Sequence, residues 1–129
     1  HSSDLNNIIT NSDIISFHCK PNKDGSSIIT INEINTMKKN CILINTARGG
    51  LINEDDLIES LKNNLIKGAA LDVFNNEPLN ESKLFNLDNI ILTPHIAAST
   101  EEAQIVVAEM IANQFCDYFN NNKIINSIT

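Results

Sequence analysis

The chain has 129 residues and a formal net charge of −7, with 42% hydrophobic and only 5% aromatic residues and no Trp. So acidic a balance argues against a surface that neutralises phosphates, and hence against a nucleic-acid binder. No apolar run approaches the ~20 residues needed to cross a bilayer, and no signal-peptide pattern opens the chain. The expectation is one soluble, cytoplasmic, globular domain with no membrane contact.

In chain order, Leu5, Ile8 and Ile9 suggest an opening helix over about residues 3–11. His1 starts the chain without a Met and receives no role. The run Asp13–Cys19 (DIISFHC) is nearly continuous in apolar residues, as are Cys41–Asn45 (CILIN), Gly68–Val73 (GAALDV) and Asn89–Thr93 (NIILT). Short runs of this kind fit strands buried on both faces of a parallel sheet. Helical signals separate them. Thr30 and Glu33 have capping-box spacing before a short segment ending at Lys38-Lys39-Asn40. Asn53 is a plausible N-cap, followed by Glu54, Asp55 and Asp56 at the positive end of the dipole. That helix presents Leu57, Ile58 and Leu61 and stops near Asn63-Asn64. Ser99 and Glu102 form a second capping box, and Ala103, Val106, Val107, Met110, Ile111, Phe115 and Phe119 then keep a helical stripe. The Asn-rich end, Asn120–Thr129, reads as a tail or docking arm after a domain spanning residues 1–119. Strands alternating with helices predict an α/β fold, a parallel sheet with flanking helices.

Three cysteines, Cys19, Cys41 and Cys116, stand far apart with no CxxC pair and no metal-ligand spacing. They read as reduced thiols, Cys19 and Cys41 as small buried hydrophobes, and no metal centre is expected. The chain holds 21 Asn and 21 Ile against four Gly, three Pro and a single Arg, a bias toward AT-rich codons. The scarce residues are therefore informative, and they cluster at strand exits.

Asn45-Thr46-Ala47-Arg48-Gly49-Gly50 follows the strand CILIN, where ligands of open α/β sheets bind. A guanidinium there offers a planar fork to a carboxylate or carbonyl, and a tight helix turn needing Gly is the alternative. Asp72 lies near the end of the strand GAALDV and Glu77 five residues on, either as ligand acceptors or as structural caps. His95, in Thr93-Pro94-His95-Ile96-Ala97-Ala98-Ser99, leaves the next strand, and imidazole is the side chain suited to proton exchange near neutrality. His18 ends the first strand and could face the same crevice. If these exits converge, Glu77 can orient His95, and Arg48 can hold an acidic substrate for acid–base chemistry at a carbonyl or alcohol.

The stretch NCILINTARGGLINEDDLIESLKNNLIKGAALDVFNNEP, followed by NIILTPHIAAST, resembles the D-isomer-specific 2-hydroxyacid dehydrogenases, of the phosphoglycerate dehydrogenase and glyoxylate/hydroxypyruvate reductase branches. The resemblance runs from about Leu5 to the tail. It implies the C-terminal half of a Rossmann-type NAD-binding domain, leading through 120–129 toward a substrate domain. It implies that Arg48 binds the carboxylate and keto oxygen of a small 2-keto acid, that His95 is the acid–base group, and that Glu77 is its hydrogen-bonded partner. Asp72 would contact the nicotinamide carboxamide, and Thr46, Ala47, Arg48, His95, Ala97 and Ala98 would line the nicotinamide and ribose. NAD is the implied cofactor, with NADP left open. Glu rather than Gln at position 77 leans away from the formate-dehydrogenase branch.

Two departures accompany the resemblance. The family's His-x-Pro at the first exit becomes His18-Cys19-Lys20-Pro21, and no G-x-G-x-x-G occurs among Gly25, Gly49, Gly50 and Gly68. Such glycines let a backbone meet the pyrophosphate at a helix N-terminus. The chain thus reads as a dehydrogenase's C-terminal part, inactive by itself, which self-associates as a homodimer through an exposed strand edge and apolar face. Two other readings stand beside it: a dinucleotide-responsive binding module of corepressor type, and a remnant without function of its own.

Overall fold

The computed structural model describes residues 4–127. His1 and the last two residues of the predicted tail lie outside them. One compact unit extends to His95 and a second begins at Ile96.

The first unit is a parallel sheet of four short strands, β1 (Ile14–Phe17), β2 (Ile42–Asn45), β3 (Gly68–Leu71) and β4 (Ile90–Leu92), lying side by side in chain order. The register Phe17↔Asn45↔Leu71↔Leu92 brings the carboxyl ends of all four strands to one edge. α1 (Leu5–Asn11), α2 (Ile31–Ile34) and α3 (Glu54–Lys62) belong to this unit, with a 3-10 turn at Lys83–Asn86 that the apolar pattern does not announce.

The sheet is buried on one face only. Ile15, Phe17, Leu43, Ala69 and Leu71 point into a core with Leu51, Leu57, Leu61, Ile66 and Leu84, all buried. Each such aliphatic side chain contributes roughly 1.5–3 kcal/mol when fully buried. The alternate residues lie on the other face, where Ile14 is 59% and Ile91 68% exposed. The apolar runs therefore mark the strands correctly, but a second buried face is absent from the described residues.

Local signals set the helix starts. Thr30 and Glu33 close the expected capping box, the Glu33 carboxylate accepting from the Thr30 backbone N–H at 2.8 Å and its hydroxyl at 2.6 Å. The hydroxyl bond holds Glu33 below the ordinary carboxylate range. α2 then lasts a single turn, shorter than the span to Asn40 predicted from the sequence. Asn53 caps α3 by accepting from the Asp56 N–H at 3.1 Å, and Lys62 lies in the last turn. The Asp56 carboxylate in turn accepts from the Ile31 N–H at 2.9 Å, tying α3 to the start of α2.

The second unit holds α4 (Glu101–Asn121), a 21-residue helix capped by Thr100, whose hydroxyl accepts from the Ala103 N–H at 3.2 Å. The cap falls one residue beyond Ser99, whose N–H donates to the Ile96 carbonyl at 2.8 Å in the turn that precedes the helix. The helix ends at Asn122, in the left-handed region at φ 51°. Its predicted stripe is present, but Val106, Met110, Phe115 and Phe119 are all exposed. Among the described residues no helix is long and apolar enough to cross a membrane. Of the cysteines, Cys41 is buried as expected, whereas Cys19 is exposed: β1 ends at Phe17, so Cys19 sits in the loop beyond the core.

Candidate active site

The exit of β2 is shaped by Asn45, which is buried. Its side-chain oxygen accepts from the Ala47 N–H at 3.1 Å and its amide nitrogen donates to the Arg48 carbonyl at 2.9 Å. One buried amide thus closes the turn that carries Arg48, satisfying backbone groups that no strand partner reaches. The Arg48 guanidinium is exposed and donates to the Ala47 carbonyl at 2.7 Å. Thr46 is exposed and Ala47 half-buried.

At the neighbouring exit the Asp72 N–H donates to the Asn45 carbonyl at 2.9 Å, extending the β2–β3 pairing by one residue. The Asp72 carboxylate is buried and accepts from the Thr93 hydroxyl at 2.5 Å, so the exits of β3 and β4 are joined by a charge-assisted bond. The Thr93 N–H donates to the Leu71 carbonyl and the His95 N–H to the Thr93 carbonyl, each at 3.0 Å, forming a three-residue turn around Pro94. His95 itself has φ 54°, a left-handed conformation that is uncommon for a residue with a side chain.

This turn brings His95 to Glu77. Nδ1 of His95 lies 2.6 Å from Oε2 of Glu77, and Oε1 accepts from the Phe74 N–H at 2.9 Å. Both carboxylate oxygens are engaged, which orients the group and places a proton on Nδ1. These two bonds, the His95 one foremost, hold Glu77 below the ordinary carboxylate range, against smaller opposing effects of desolvation and the Asp72 charge. About half of the His95 side chain remains accessible, 48% against 33% for Glu77, and Nε2 has no hydrogen-bond partner among the described residues. A cleft of about 640 Å³, lined by Phe74, Pro78, Leu79, Phe85 and Leu92, adjoins the pair.

Glu77 and His95 therefore meet. Arg48 forms no ion pair with either, its guanidinium resting on its own turn. Ala97 and Ala98 belong to the second unit, where the Ala98 carbonyl accepts from the Gln104 amide at 2.6 Å. His18 contacts Ser16, with Nε2 2.9 Å from the hydroxyl. No group of three His, Cys, Asp or Glu side chains among the described residues could hold a metal ion.

Three further residues hold the site together. By sequence alone Asn45 is the last residue of a strand, Thr93 part of a strand end, and Glu54 one of three dipole-balancing acids. Glu54 accepts from the Asn75 N–H at 2.6 Å. Polar residues at strand ends were the available signal for Asn45 and Thr93; none marked Glu54 apart from Asp55 and Asp56.

Residues 1–97 match the family model described as "D-isomer specific 2-hydroxyacid dehydrogenase, NAD binding domain", and the chain belongs to this family. It is 46% identical over 111 residues to a D-3-phosphoglycerate dehydrogenase of Methanocaldococcus jannaschii, covering 86% of this chain and 21% of that protein. It is 42% identical over 109 residues to a glyoxylate reductase of Thermococcus litoralis, covering 84% and 33% respectively. The chain thus spans about a fifth to a third of these curated relatives. Among solved structures, an acyclic imino acid reductase in complex with NADPH and D-Arg superposes with TM-score 0.86 at 34% identity, over 98% of this chain and 40% of that one. A D-lactate dehydrogenase with NAD+ from Lactobacillus jensenii superposes with TM-score 0.84 at 27% identity, over 98% and 42%. The Rossmann-type fold of an NAD-binding domain follows from these matches.

Proposed function

We propose that this chain supplies the acid–base residues of an NAD(P)-dependent dehydrogenase acting on a small D-2-hydroxy acid or its 2-keto acid, of the phosphoglycerate or glyoxylate/hydroxypyruvate type. The observation that carries the reading is the 2.6 Å contact between Glu77 and His95 at adjacent strand exits. A carboxylate that accepts from Nδ1 fixes the orientation of the imidazole, leaving Nε2 to face the reacting oxygen. In the reducing direction, protonated His95 gives its Nε2 proton to the oxygen of the substrate carbonyl; in the oxidising direction, neutral His95 takes it from the hydroxyl. Arg48, exposed at the next exit, swings from the Ala47 carbonyl to pair its fork with the substrate carboxylate.

The bound dinucleotide supplies the hydride. At its nicotinamide end the residues would be Asp72, whose buried carboxylate accepts from the Thr93 hydroxyl where β3 and β4 end, together with Thr46 and Ala47. The chain's four glycines make no G-x-G-x-x-G for the pyrophosphate. The isolated chain is accordingly inactive and binds dinucleotide weakly at most. It self-associates through the open face of its sheet.

The test is a chimera in which this chain replaces the matching segment of the Thermococcus litoralis glyoxylate reductase. NADH-dependent reduction of glyoxylate is expected, falling by about 10²–10⁴ in kcat with His95→Asn. A chimera that turns over equally well without His95 overturns the assignment. NADH oxidation by the 129-residue chain alone, with glyoxylate, hydroxypyruvate or phosphohydroxypyruvate, overturns its inactivity.

A further inference from the structure

We propose that Glu54, the first residue of α3, is a positioning residue for the Glu77–His95 pair. This rests on the catalytic reading of that pair. The link runs through one peptide unit. The N–H of the Phe74–Asn75 peptide donates to Glu54 Oε1 at 2.6 Å, and its carbonyl lies so close over Gly49 that a Cβ there would stand 2.0 Å from the oxygen. Gripped on both sides, the peptide has one orientation. That orientation fixes the preceding residue, Phe74, whose own N–H donates to Glu77 Oε1 at 2.9 Å, and Glu77 Oε2 holds His95.

The same grip sets the pair relative to Arg48. Gly49 follows Arg48 directly, and Glu54 begins the helix that this turn feeds. The segment bearing the guanidinium therefore clasps the segment bearing the carboxylate at two points.

The three acids that open α3 are not equivalent. All lie in the first turn, where any carboxylate complements the helix dipole. Asp55 is exposed, Asp56 accepts from the Ile31 N–H, and only Glu54 reaches the Glu77 loop. A dipole role depends on charge; a positioning role depends on an oxygen at the right reach. The two predict opposite results for two conservative changes. Glu54→Gln keeps the oxygen and loses the charge. Glu54→Asp keeps the charge and loses the reach.

The experiment is a carbon-13 NMR titration of the Glu77 carboxyl in the 129-residue chain, with the His95 ring nitrogens followed in parallel. In Glu54→Ala and Glu54→Asp the Glu77 midpoint is expected to move up toward the ordinary carboxylate range, and the Nδ1 proton signal of His95 to broaden or vanish. Glu54→Gln and Asp55→Ala are expected to match the parent chain. Should Glu54→Ala fail to fold, Glu54→Asp carries the same comparison with the helix start intact. A Glu77 midpoint unmoved in both, or moved equally by Glu54→Gln, overturns the proposal while leaving the catalytic reading standing. Turnover in the chimera without His95 would remove the catalytic reading and leave this titration result untouched.

Discussion

The carbonyl of Phe74 occupies the space into which any side chain at Gly49 would grow. A Cβ at that position would lie 2.0 Å from the Phe74 oxygen and 2.4 Å from its carbonyl carbon, both backbone atoms that cannot rotate away. Gly49→Ala is therefore expected to destabilise the chain by about 1–3 kcal/mol, in the range of overpacking. Gly25 provides the contrast: nothing lies within 4 Å of its Cβ position, and its φ of +78° alone opposes a side chain. Gly25→Ala should cost about 1 kcal/mol. Urea unfolding of the two variants checks the order, and equal losses would show that the Gly49–Phe74 approach relaxes freely.

The Glu77–His95 pair makes stability depend on pH in a defined direction. Its hydrogen bonds hold the Glu77 carboxyl below the ordinary carboxylate range in the folded state, whereas the unfolded chain returns it to that range. Glu77 thus contributes stability that is complete above its unfolded value of about 4.3 and is lost as pH falls through its lower folded value. Glu33, also lowered, adds a contribution of the same sign. Glu77→Gln should melt below the parent near neutrality, with the gap closing as the solution is acidified. Thermal unfolding across the acid range measures this; a gap of constant size would refute it.

The thiols should separate into two classes. Cys19 and Cys116 are exposed, while Cys41 is fully buried and burial pushes its thiol up, with the Asp13 charge acting in the same direction. A chromogenic disulfide reagent at mildly alkaline pH should titrate two thiols at once and the third only on addition of denaturant. Rapid reaction of all three would mean that the core around β2 opens readily.

The open sheet face should make the chain associate. Ile14 and Ile91 are largely exposed on the edge strands β1 and β4, on the same face as Ile42 and Ile44 between them. Sedimentation at micromolar concentration should reveal dimers, and Ile91→Lys should shift them toward monomer. A clean monomer for the parent chain would count against it.

Much of the architecture was legible in short stretches. Each strand is announced by a short apolar run, and α2 and α3 by caps lying within four residues of their first turn, because these signals act over a few bonds. Two departures concern where elements stop. The apolar run Asp13–Cys19 predicts a buried Cys19, yet β1 ends at Phe17 and Cys19 is exposed. The spacing of Ser99 to Glu102 predicts a cap at Ser99, yet the helix is capped one residue later by Thr100. Both depend on where a strand or turn stops, which competing hydrogen bonds decide.

What the sequence determined by itself was the identity of the elements and the placing of Arg48, Glu77 and His95 after three successive strands. Tertiary structure alone decided which of them meet. His95 and Glu77 stand 18 residues apart and Asn75 and Glu54 21 apart. These contacts follow from the β3–β4 register and from the backbone approach of Phe74 to Gly49. No local propensity specifies such pairings. They arise because packing the shared core aligns the strand ends, and the polar groups left at those ends must then satisfy one another.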